Sequence, residues 1–206
     1  MTEKNTILIK KITHQEREAY TRHLLRMGAE DRYLRFGRQV KDAFIEQYIA
    51  QTNFETDVIF GIFDAELDII ASIHLIIHHN QEGIKTAEVA LSVDKPHRGQ
   101  GLAQKLAERA LLWCESHQIG LLDLQWLTHN PAVSKMVRRF GGKIEGKTLE
   151  YDAHIPLEAK RFAFWREWMM GQLESFHFGI YANRKQLKKF RDTQRSLWFG
   201  NKEELS

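Results

Sequence analysis

Two glycines, Gly99 and Gly101, stand between a segment that alternates like a strand and a segment that repeats like a helix. In Arg98-Gly99-Gln100-Gly101-Leu102-Ala103 that placement suits an anion. The first amides of a helix have no intrahelical acceptor, glycine lets main-chain N–H groups approach a ligand closely, and the helix dipole favours negative charge. Arg98 adds a fork of donors. The run has neither the Gly-Lys-Ser/Thr ending of a nucleotide loop nor the Gly-x-Gly-x-x-Gly of a dinucleotide fingerprint. On spacing alone, an ordinary strand-to-helix turn would use the same glycines.

Three other groups invite a chemical reading. His74 and His78 share one face of a strand, with His79 beside them, but no carboxylate or cysteine nearby in sequence completes a ligand set. A polar strand face is the simpler expectation, and no metal is expected. Cys114 sits inside an amphipathic helix without a catalytic signature and reads as core. Asn130 precedes Pro131 and suits a helix cap.

The elements that must position these residues follow from periodicity. Ile7–Ile12 reads as a first strand, and Thr13-His14-Gln15-Glu16 has the spacing of a capping box before a helix to about Met27. Ala29–Phe36 and Lys41–Gln51 read as helices, Asp57–Phe63 and Ile69–Ile77 as a hairpin. Along Thr86–Val93, Ala87, Val89, Leu91 and Val93 share one face while Glu88, Ala90 and Ser92 share the other. Leu102, Leu106, Ala110 and Trp113 then repeat at helical spacing, predicting about five turns to roughly His117. Leu121–Leu127 is a short strand. A helix from Asn130-Pro131 stops at Gly141-Gly142, and Lys143–Ile155 supplies a last hairpin turning near Gly146.

With strand, glycine loop, long helix, strand and Asn130-Pro131-Ala132 helix in this order, the chain resembles the GCN5-related N-acetyltransferase (GNAT) family. Its acyl-CoA loop reads Arg/Gln-x-x-Gly-x-Gly/Ala, and residues 98–103 fit every fixed position. The likeness covers roughly residues 5–155. The stretch from Leu24-Leu25 through Glu30-Asp31-Arg32-Tyr33-Leu34-Arg35-Phe36 also looks like the acetyltransferase domain of bacterial protein-lysine acetyltransferases. The resemblance implies an α/β (α+β) fold, a mixed, mostly antiparallel central sheet flanked by helices, here with a C-terminal helical extension. It also implies a cofactor site. Main-chain groups near Leu91, Ser92 and Val93 would pair with the pantetheine arm of acetyl-CoA, Arg98, Gly99, Gln100, Gly101, Leu102 and Ala103 would hold its pyrophosphate, and Asn130 would lie on the other side.

By the same resemblance the reaction is direct transfer of the acetyl group to an amine, of a protein lysine or a small molecule. The amine must first be neutral, which for a lysine of pKa near 10.4 costs roughly 4 kcal/mol at physiological pH. Glu88 is the candidate base, because it matches a glutamate of the protein-lysine acetyltransferase branch, and Ala90 and Ser92 beside it are small enough to leave room for substrate. A solvated strand carboxylate is the alternative. The family often supplies a tyrosine, as acid for the departing thiolate, in the helix after the last long strand. Here that position is Val137, in Ser134-Lys135-Met136-Val137-Arg138-Arg139-Phe140-Gly141, and Gly142 replaces the usual aromatic. Valine donates no proton, so the sequence also admits a non-catalytic acyl-CoA-binding or interaction module.

Composition closes off other classes. A chain of 206 residues with 43% hydrophobic and 28% charged residues is an ordinary globular composition. The net charge of +3 is too small to announce a nucleic-acid binder. No apolar run approaches the roughly 20 residues of a membrane-spanning helix. The start, Met1-Thr2-Glu3-Lys4-Asn5-Thr6, shows no secretory pattern, and a lone cysteine forbids an internal disulfide, so the expected compartment is the cytoplasm. The expected domain boundary is Ile155/Pro156, giving a body 1–155 and an extension 156–206. Ten of the 22 Phe, Trp and Tyr residues lie in that extension. Leu157, Phe164, Trp165, Trp168, Met169 and Phe176 form one expected helical stripe, and Leu187, Phe190, Leu197 and Trp198 another, with Lys185, Lys188, Lys189 and Arg195 away from it. Burial of such stripes against the body or a second copy of the chain is favoured over a membrane surface or nucleic acid.

Overall fold

The computed structural model describes residues 7–127, 130–146, 150–157, 166–175, 178–179 and 182–183. Its centre is a seven-stranded sheet. In chain order the strands are β1 (Leu8–Ile12), β2 (Val58–Phe63), β3 (Ile69–His79), β4 (Lys85–Val93), β5 (Leu121–Leu127), β6 (Lys143–Glu145) and β7 (Glu150–Pro156). They lie side by side as β1-β2-β3-β4-β5-β7-β6, antiparallel at every junction except β4/β5. A parallel junction needs a crossover, and α4 (Leu102–Ser116) supplies it between β4 and β5.

The helices divide between the two faces. α1 (Arg17–Leu25), α2 (Ala29–Phe36) and α3 (Asp42–Gln51) come between β1 and β2, and α5 (Pro131–Arg139) follows β5. One core gathers the α4 face, where Leu102, Leu106, Ala110 and Trp113 are buried as their spacing predicts, with Phe60, Leu75, Leu122 and Ile155. The other gathers Tyr20 and Leu24 of α1 and Ile45 and Ile49 of α3 against Ile12, Ile59 and Ile69. At α1 the Thr13/Glu16 capping box is present: Thr13 N donates to Glu16 Oε2 over 2.9 Å, and Thr13 Oγ1 accepts from Gln15 N. α4 is shorter than expected, ending at Ser116 after 15 residues, about four turns.

In the extension, residues 166–175 are helical. The expected second stripe, with Leu187, Phe190, Leu197 and Trp198, lies outside the described residues, as do Phe164, Trp165 and Phe176 of the first. Of the described residues in the first stripe, Leu157 packs against the core, whereas Trp168 and Met169 are not buried as their spacing suggested, each being 55% exposed. The face turned to the body carries carboxylates instead. Glu167 and Glu174 both bind Arg109 of α4, whose side chain is 3% exposed and whose guanidinium also stacks 4.3 Å from the Phe60 ring centre. Phe178 makes a second grip, edge-on to Phe63 with ring centres 5.1 Å apart and with Lys10 Nζ 4.1 Å above it. Among the described residues no helix is long and apolar enough to cross a membrane.

Candidate active site

The loop after β4 has the geometry of an anion cradle. Gly99 and Gly101 hold φ of +76° and +75°, left-handed values that cost a residue with a Cβ about 1–2 kcal/mol. A Cβ at either position would meet nothing within 4 Å, so conformation rather than space requires glycine here. Arg98 N bonds Lys95 O, and intrahelical bonding resumes when Lys105 N donates to Gly101 O. Between them, the main-chain N–H groups from Gly99 to Gln104 find no acceptor among the described residues. A run of free donors at the start of a 15-residue helix fits a pyrophosphate. Gln100, Leu102 and Ala103 contribute through the main chain, and Gln100 Nε2 turns back to Pro96 O. Arg98 is already engaged: its Nε donates to Val93 O, and its guanidinium pairs with Asp31 of α2 over 2.6 Å.

Beside this loop the sheet opens. β4 and β5 pair only over Thr86↔Leu121, Ala87↔Leu122 and Glu88↔Asp123. Beyond Glu88, β4 continues against β3 alone and β5 against β7 alone. The side of β4 carrying Leu91, Ser92 and Val93 is thus open toward β5, where an extended ligand can add its own polar groups. Val89, Leu124, Met136, Val137 and Phe140 line a shallow apolar groove at this level. Asn130 is the N-cap residue of α5 on the far side, its carbonyl accepting from Ser134 N while its side chain makes no capping bond. Val137 is 1% exposed and packed in the core, which leaves no proton donor at that position.

Glu88 is exposed at the last paired position of β4, opposite Ile76 of β3. Toward its Ser92 end the face it shares with Ala90 and Ser92 is covered by α1, and here one expectation fails: Ser92 leaves no room for substrate. It is 6% exposed, with its Oγ 2.8 Å from both His23 Nε2 and Ser72 Oγ. His23 Nδ1 lies 3.0 Å from Asp94, away from the straight hydrogen-bond line, and Arg26 also pairs with Asp94. Burial pushes the Asp94 carboxyl up, but His23 and Arg26 outweigh it and hold it below the usual range.

His74 is likewise no solvated strand histidine. It is 1% exposed, with Nδ1 2.6 Å from Tyr48 Oη and Nε2 3.2 Å from Asp57 Oδ2. Tyr48 Oη in turn accepts from Arg35 over 3.1 Å. Desolvation lowers the His74 pKa, and Arg35 adds to it against the opposing pull of Asp57 and Glu88. A histidine held neutral when folded binds a proton more readily when unfolded, so its contribution is present above the unfolded pKa near 6.5 and is lost as pH falls. Denaturant unfolding should therefore show stability declining below about pH 6.5 by up to about 1.4 kcal/mol per unit. His74→Gln should flatten that decline, and a variant declining as steeply as wild type would assign it elsewhere. His78 and His79 are exposed, and no cluster able to hold a metal occurs among the described residues. Cys114 is in the core, where burial pushes its thiol up to about 12.

Sequence reasoning missed Asp31, Arg35, Tyr48 and Asp57. The i, i+4 spacing of Asp31 and Arg35 was readable, but it suggests an intrahelical pair that does not form. Tyr48 and Asp57 come from separate elements, and no local signal links them to His74.

An open parallel junction thus lies beside a glycine loop, with a carboxylate at the last paired position. The acetyltransferase (GNAT) family model matches residues 21–141, and the chain belongs to that family. No curated protein matches it. Solved structures share the fold at low identity. The GNAT domain of S. lividans PAT aligns with a TM-score of 0.60 at 18% identity, covering 72% of this chain and 89% of that one. Spermidine N-acetyltransferase from Vibrio cholerae, solved with CoA and spermine, gives 0.58 at 18%, with 73% and 95% covered. Arabidopsis thaliana NAA60, solved with acetyl-CoA, gives 0.54 at 12%, with 74% and 99% covered.

Proposed function

We propose that this protein transfers an acetyl group from acetyl-CoA directly to an amine, a protein lysine or a small molecule. The observation that carries the reading is the run of unbonded N–H groups from Gly99 to Gln104 where β4 and β5 part, with Glu88 at the point of parting. The N–H run holds the pyrophosphate, helped by the Arg98 N–H groups that Val93 and Asp31 leave free, the open edge at Leu91–Val93 takes the pantetheine arm, and Asn130 bounds it at the start of α5. Acetyl-CoA supplies an activated acyl group. Glu88 takes the proton from the amine, whose lone pair then forms the new C–N bond as the C–S bond breaks and sulfur leaves as thiolate. A thiolate of pKa around 8.5 departs near neutral pH without a strong acid. Val137 therefore does not prevent transfer, and water or Tyr151, which packs 5.8 Å from the Trp126 ring centre, is left to reprotonate it.

The lone cysteine supports a cytoplasmic setting. The extension after Ile155 is read as an appendage to the catalytic body, gripping it through Arg109 and Phe178 and offering a surface for a second copy. Calorimetric titration with acetyl-CoA, with CoA and ATP as controls, tests the cofactor reading. Saturable binding selective for the CoA ligands supports it, and an amine screen follows. No binding to the folded protein overturns it. The buried Val137 favours a second reading, a non-catalytic acyl-CoA-binding module, which binding without turnover across the amine screen would establish.

A further inference from the structure

α2 joins the two halves of the site. It packs on both β4 and β5, and Gly37, at φ +68°, ends it one turn after Tyr33. Asp31 and Arg35, one turn apart on the same helix face, have the spacing of an ordinary intrahelical ion pair. That pair is not made. Asp31 gives its carboxylate to Arg98 in the glycine loop. Arg35 instead donates to Tyr48 Oη, with its guanidinium 4.9 Å from the Phe36 ring centre and 5.7 Å from that of Tyr48.

Arg35 is partly buried, and among the described residues it has no carboxylate partner, whereas Arg22, Arg26, Arg32, Arg98 and Arg109 each have one. Burying a charge without a counter-ion is expensive. A guanidinium carries five N–H donors, of which Tyr48 accounts for one. The fully buried Tyr20 hydroxyl beside it has no hydrogen bond of good geometry. The Asp57–His74–Tyr48 chain fixes the aromatic against which the guanidinium lies, so the fork is held in place rather than free to swing. His74 pairs with Ala90 across β3 and β4, and Glu88 lies two residues along β4 on the same face, so the contacts from Arg35 through Tyr48 to His74 run toward Glu88.

We propose that Arg35 is the counter-ion of an acceptor carboxylate, so that the acceptor is a small amino acid-like molecule bound between the Arg35 fork and the Glu88 carboxylate. This rests on the transferase reading for the fate of the amine, and on Arg35 alone for the carboxylate. A planar fork takes a carboxylate by two parallel hydrogen bonds, which an ammonium does not reproduce. Asp31, by holding Arg98, leaves the Arg35 charge for the ligand.

The test is calorimetric binding to the protein saturated with CoA, using free amino acids of α and ω type, each paired with its carboxamide. At least one free acid should bind ten- to a hundredfold tighter than its amide, the range expected for losing charged hydrogen bonds. Arg35→Met should abolish the difference with CoA affinity retained. Arg35→Lys keeps the charge without the fork and should keep part of it, and it carries the test if Arg35→Met does not fold. Equal binding or none across the panel, or a preference that survives in both variants, overturns the proposal. Discrimination without acetyl transfer would keep the carboxylate site and remove the transferase reading; transfer without discrimination would do the reverse.

Discussion

Replacing Glu88 with Gln should lower kcat for acetyl transfer by about 10²–10⁴-fold, the usual contribution of a positioned general base. The substitution keeps size and hydrogen-bonding shape while removing the basic oxygen. Glu88 is exposed and belongs to neither core, so the fold should not respond. Acetyl-CoA affinity should also hold, because the cradle is made of main-chain N–H groups ten and more residues further along the chain. The pH profile gives an independent check. Without the base, the rate should climb about tenfold per pH unit toward the amine pKa near 10.4, as more of the acceptor becomes neutral unaided. Steady-state kinetics from pH 7 to 9.5 on both proteins reads these effects together. Unchanged turnover in Glu88→Gln would take the residue out of the mechanism and leave a solvated carboxylate at the end of a strand pairing.

The second large effect is on stability. Arg109 is 4% exposed, and Glu167 and Glu174 from the extension are its charge partners. Burial works against the Arg109 charge, but the two carboxylates outweigh it and raise its pKa. On the other side, burial pushes the Glu174 carboxyl up in spite of Arg109, and the Glu167 charge adds to the push. Such a triad contributes little net stability as a whole, but it is costly to break. Glu167→Ala with Glu174→Ala leaves a cation uncompensated in the interior and should cost about 3–5 kcal/mol. For a chain of this size that is a fall in Tm of roughly 6–20 °C. Converting all three residues to apolar ones, as in Arg109→Met with Glu167→Leu and Glu174→Leu, should recover most of the loss. Thermal melts of the two variants distinguish a buried clamp from a surface pair. A double-alanine variant within 1 kcal/mol of wild type would show that Arg109 reaches water once the extension lets go.

The residues that the sequence could mark are those whose role is local. Gly99 and Gly101 announce a backbone conformation, Leu102 to Trp113 announce a face, Thr13 and Glu16 announce a helix start, and each is where its spacing puts it. Their positions follow from 3.6- and 2-residue periods and from what a glycine alone can adopt. From these the order of elements, and with it the family, was legible before any coordinates. Two kinds of feature were not. His74 reads as a polar strand residue because alternation says which face it shares but not what covers that face; Tyr48 from α3 and Asp57 from the bend before β2 turn it into a buried hydrogen-bonded histidine, with Arg35 of α2 behind Tyr48. The aromatic stripe of the extension reads as the buried side of its helix because hydrophobicity usually decides orientation. There Arg109, already buried beside Phe60, required carboxylates, and an unpaired interior charge outweighs the exposure of Trp168 and Met169. Sequence periodicity fixes which residues share a surface, while the identity of the opposing surface, and any charge it must neutralise, comes only from the packed chain.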